Sequence, residues 1–207
     1  MGYRIQLLAQ FGGPTNAMQS KILEICPDFE TTEFNNPQVF RSTDYCSCLA
    51  VSKRSRFCNY FEQLAGQFAC VWIVTNDTDD WHLKIQNKND VLANLHLPLM
   101  NVDPDEWCES DGNDVRLSIA CELPVELSNQ ILKMDTKGAW SHYFEYAERT
   151  IRESLTASKI TFDTGKLSML FSEVAFTTVS RTVGSQLGFF VNEVLGVGLD
   201  LTPADEY

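Results

Sequence analysis

Residues 68–75 read Phe-Ala-Cys-Val-Trp-Ile-Val-Thr, and residues 81–86 read Trp-His-Leu-Lys-Ile-Gln. The first run is apolar on both parities, which predicts a central strand covered on both faces. In the second, Trp81, Leu83 and Ile85 alternate with His82, Lys84 and Gln86, the period-2 pattern of a half-buried strand. Residues Asn76–Asp80 between them have turn composition, so the pair reads as a hairpin with a loop longer than the tight two-residue class. A hairpin with one buried strand needs a sheet around it and a layer on each face, and the neighbouring segments supply candidates.

Upstream, Tyr3, Ile5, Leu7, Ala9 and Phe11 alternate with polar residues and predict a strand that stops at Gly12-Gly13-Pro14. Asn16 followed by Gln19 resembles a capping box for a helix over Ala17–Cys26, ended by Pro27. Tyr45–Ser52 reads as another strand. Ser55–Ala65 reads as a short helix facing inward through Phe57, Phe61 and Leu64, with Gly66 at its C-cap. Downstream, Val115, Leu117, Ile119, Cys121 and Leu123 alternate again, which predicts one more strand.

From Pro124 the apolar period moves toward 3.6. Leu127, Ile131 and Met134 fit one helix; Trp140, Tyr143, Phe144, Ala147 and Ile151 fit a longer second. Leu167, Leu170, Phe171, Val174 and Thr178 fit a third, and Val183, Leu187, Phe190, Val191 and Val194 a fourth. Both of the latter are rich in Phe, Val and Thr, so residues 166–195 remain open between helix and strand. The expected fold class is α+β: a mixed, largely antiparallel sheet from the N-terminal two-thirds, packed with a C-terminal helical layer. One domain over 1–207 accommodates this, divisible into a sheet-forming half, residues 1–123, and a helical half, residues 124–207.

Composition agrees with a folded chain. The 207 residues are 44% hydrophobic and 21% charged, values that exclude a disordered polymer. The longest run without charge, Ile5–Ser20, contains Gly12, Gly13 and Pro14 and is too short and too polar for a membrane span. The N-terminal segment is broken by Gln6 and Gln10 where a secretory signal requires a continuous apolar core. Gly2 invites myristoylation, but Gln6 stands where that motif needs a hydroxyl. Seven cysteines, an odd number, several among apolar residues, read as reduced thiols and a cytoplasmic site of action, in a cell or an infected host.

No motif defines a chemistry. The Gly12–Asn16 turn lies between a strand and a helix, where phosphate is often held, but it lacks the lysine-bearing phosphate loop and the dinucleotide fingerprint. Cys46, Cys48 and Cys58 with His82 could be assembled into a zinc site, yet a single residue between paired cysteines departs from zinc spacing. None of His82, His96 and His142 shares a local signature with a cysteine nucleophile, and Gly184-Ser185-Gln186 is not a nucleophile elbow. The run Glu109–Asp114 is rich in oxygen ligands without the calcium-loop pattern. His142, Glu145 and Glu148 share a helix face but reverse the order of di-iron sites and have no second copy. Lys53-Arg54-Ser55-Arg56 is the only basic cluster, with Phe57 and Tyr60 nearby. No cofactor and no metal are expected.

Charge carries more information. The chain holds 28 acidic and 16 basic side chains, a net of −12, which argues against a phosphate-backbone binder. Residues 1–75 are neutral, residues 76–135 carry −9 and residues 136–207 carry −3. Within the middle segment the excess concentrates in Asp77–Asp80 and Asp103–Asp114, with Trp81 and Trp107 beside or inside these runs. An aromatic anchor ringed by carboxylates has the composition of a protein-binding hot spot; two core tryptophans with solubilising acids have the same composition.

The sequence therefore predicts a non-enzymatic, acidic protein-binding module of inhibitor, immunity, chaperone or adaptor type, whose partner is a basic protein surface. Its candidate contact residues are Asp79, Asp80, Trp81, Asp103, Asp105, Glu106, Trp107, Glu109 and Asp111. Two alternatives stay open: a structural subunit of a larger assembly such as a viral or phage particle, pairing through its apolar C-terminal helices into a homo-oligomer, and an enzyme with a dispersed active site.

Overall fold

The computed structural model describes residues 5–12, 17–26, 39–42, 46–52, 59–76, 80–98, 120, 123–172 and 183–198. Six strands form one sheet: β1 Ile5–Phe11, β2 Val39–Ser42, β3 Cys46–Ser52, β4 Ala69–Asn76, β5 Asp80–Asn87 and β6 Asp90–Pro98, in the order β2-β3-β1-β4-β5-β6. The doubly apolar run becomes β4, an interior strand, and it pairs with β5 as the expected hairpin, Thr75 opposite Trp81.

Every pairing among the described strands is antiparallel. This bears out the α+β class with its largely antiparallel sheet; among the described strands no parallel pair is adjacent. The reason lies in the crossover. β1 and β2, separated in sequence by helix α1 (Ala17–Ile25), run parallel as in a βαβ unit, but β3 turns back from β2 and inserts between them. Parallel strands therefore exist without being neighbours.

Strand pleating sends alternate side chains to opposite faces, and both faces are used. The first face carries Leu7, Ala9, Cys48, Val71, Ile73, Trp81, Leu83, Ile85, Leu95 and Leu97, all in one core with the C-terminal helices. On the second face, Leu8, Leu49, Val51 and Cys70 pack with Met18 and Ile22 of α1 and with Phe61, Leu64 and Ala65 of α2 (Phe61–Ala65). Each large apolar side chain so buried contributes roughly 1.5–3 kcal/mol relative to exposure. Helix α2 ends at the expected Gly66, though not through left-handed geometry: its φ is −63°. A Cβ there would lie 2.8 Å from Asn89 Oδ1, the tip of an exposed side chain on the β5–β6 turn, which would have to swing aside.

β6 was not legible as a strand. Ala93, Leu95 and Leu97 face the core while Val91 and Leu92 are exposed, because a bulge opposite Ile85/Gln86 breaks the alternation. The strand expected over Val115–Leu123 is corrected at its described positions. Ala120 is helical, and the Leu123 N–H turns back to donate to its carbonyl. The other residues of that segment lie outside the described residues.

The C-terminal region comprises α3 Val125–Ile131, α4 Thr136–Ala157, α5 Thr164–Leu170, α6 Val183–Gly188 and a π-helical segment, Phe189–Val194. The described stretches within 166–195 are thus helical; Val174 and Thr178 lie outside them. Asp135 caps α4 by accepting from the Gly138 N–H at 2.7 Å, and Asp163 caps α5 by accepting from the Lys166 N–H at 2.9 Å. The π segment follows from its residue pattern. Gln186/Leu187, Phe190/Val191 and Val194/Leu195 are buried in pairs every four residues. That spacing is wider than the 3.6 of an α-helix, and i→i+5 turns restore it to one face; the Leu195 N–H donates to the Phe190 carbonyl. Among the described residues no helix is long and apolar enough to cross a membrane.

Candidate functional site

Asn76, Asp80 and Pro98 lie in register across β4, β5 and β6. The Asp77–Asp80 run joins β4 to β5 at this end of the sheet, and the chain leaves β6 for the 103–114 acidic run at the same end. Asp103 follows Pro98 by five residues, so chain length alone keeps it within roughly 18 Å of Pro98. Of the predicted contact residues, Asp79, Asp103, Asp105, Glu106, Trp107, Glu109 and Asp111 lie outside the described residues. Asp80 opens β5, and its side chain is likewise outside them.

Trp81 is a correction. It is fully buried, and its ring centroid stands 5.5 Å from that of Phe190 in the π-helical segment. One residue into β5, its Cβ points to the first face of the sheet, where the helical layer covers it. The indole therefore holds this end of the sheet to the C-terminal helices and is not a surface anchor.

The thiols sort by face. Cys46 and Cys48 point into the first core, Cys70 into the second. Burial pushes Cys46 and Cys70 up to about 12 from an ordinary 9.0, and raises Cys48 well above that value. Such thiols stay protonated at neutral pH and are poor nucleophiles and poor metal ligands. His82, the fourth ligand considered for zinc, points to the opposite face from Cys46 and Cys48; Cys58 lies outside the described residues. Cys70 shares the face of His82, but Val74, not Cys70, is opposite it. The four-residue offset separates the two by about 13 Å along the strand. Among the described residues no group of three His, Cys, Asp or Glu side chains can hold a metal ion.

On the second face, His82 and His96 stack across β5 and β6 with centroids 4.3 Å apart and planes 8° from parallel. Beside them the Lys84 ammonium sits 5.3 Å from the Trp72 ring, its cross-strand neighbour. The pairing of the two histidines was hidden from sequence because β6 was; a bulge-tolerant search for alternation over 90–98 would have brought them opposite each other. On α4 the His142–Glu145–Glu148 face is divided. His142 meets Gln130 at 3.2 Å and Glu145 at 3.9 Å, while Glu148 accepts from Arg152 and Ser168 and so ties α5 to α4. The Gly184–Gln186 run opens α6, as an ordinary helix start should.

No protein-family model, no curated protein and no solved structure matches this chain.

Proposed function

We propose that the protein is a binding module which presents an acidic end to a basic surface on another protein. One observation carries the reading: the Asn76–Asp80–Pro98 register, which sets the end of β4, the start of β5 and the end of β6 side by side, with one acidic run between β4 and β5 and the other following β6 in sequence. Three-quarters of the net charge of −12 comes from residues 76–135, which include the turn between β4 and β5 and the segment that follows β6. Carboxylates on one surface raise the local concentration of a basic partner and speed its docking. Burial of Trp81 removes one of the two candidate aromatic anchors and leaves Trp107, so the contact depends more heavily on charge than its sequence neighbours suggested.

The C-terminal helices do not favour the assembly alternative. Leu167, Leu170, Leu187, Phe190, Val191 and Val194, the residues expected to pair between copies, are buried within the chain.

The test is affinity capture from the native source at low and high salt, beside a variant with Asp77, Asp79, Asp80, Asp103, Asp105, Glu106, Glu109 and Asp111 changed to amides. A basic partner held by the parent and lost by the variant is expected, with a slower association rate and a flatter salt dependence for the variant. An unchanged salt slope overturns the reading.

A further inference from the structure

We draw no further inference here: the strongest candidate, the half-buried patch on the second face of β4–β6 where Trp72 and Lys84 lie beside the stacked His82 and His96, carries nothing because no observation in the structure shows what covers that face.

Discussion

Asp80 and Trp81 are adjacent at the start of β5, where successive positions belong to opposite faces of the sheet. A tryptophan beside three aspartates reads equally as an anchor in a charged surface or as the first core residue after a loop. The buried position of Trp81 against Phe190 decides for the second. At this scale the thiols are the most testable groups. With Cys46 and Cys70 raised to about 12 and Cys48 raised as well, iodoacetamide at pH 8 should leave all three unmodified in the native protein and modify all three in urea, as peptide mass spectrometry would show. The same shifts set a sign for stability. Above pH 9.0, where the unfolded chain releases these protons, the folded state still holds them. Stability contributed by these groups is therefore complete below about pH 9 and falls as pH rises toward about 12. Urea midpoints measured across that window should decline steadily.

Among the elements, those with an uninterrupted period were legible and those with a defect were not. β1, β5 and α4 follow clean periods and β4 is an unbroken apolar run, and the observed bounds of β1, β3, β4 and β5 lie close to the expected ones. β6 carries a bulge, and β2 spans only Val39–Ser42, too short to show alternation. α6 lies in a segment left open between helix and strand; it begins as an α-helix and continues as the π-helical Phe189–Val194. Cap chemistry gives a direct check on α4. The Asp135 carboxylate is the acceptor for the Gly138 N–H, so Asp135→Ala should cost about 1 kcal/mol and Asp135→Asn only a fraction of that. The urea midpoint should shift with an unchanged m-value. An alanine variant as stable as the parent would mean that the cap contributes nothing.

For the molecule as a whole, the consequential feature is a sheet with a core on each face. Phe61 belongs to the second core, while Trp81 and Phe190 belong to the first. Phe61→Leu and Phe190→Leu should each destabilise by about 1–3 kcal/mol, and the double variant by their sum to within about 0.5 kcal/mol, because the sheet separates the sites. Trp81→Phe combined with Phe190→Leu should instead show an interaction energy above about 0.5 kcal/mol, since those rings touch. Denaturation of the two double variants beside their parents measures both. The second core also explains why β4 is apolar on both parities. Val71 and Ile73 meet the C-terminal helices, while Cys70, with Trp72 packed beside it, faces α1 and α2.

What the sequence by itself determined is local: the α+β class, the β4–β5 hairpin, the helix that carries Trp140, Tyr143, Phe144, Ala147 and Ile151, and the concentration of negative charge between residues 76 and 135. Each of these follows from the order of side chains along a few turns or a few pleats, where chain geometry makes neighbours of residues close in sequence. Only the tertiary structure decided which distant residues meet. It inserted β3 between β1 and β2, stacked His82 on His96, set Trp81 against Phe190, and brought the ends of β4 and β6 side by side with the start of β5. These depend on burial shared by segments tens of residues apart, and no periodicity within either segment records its partner.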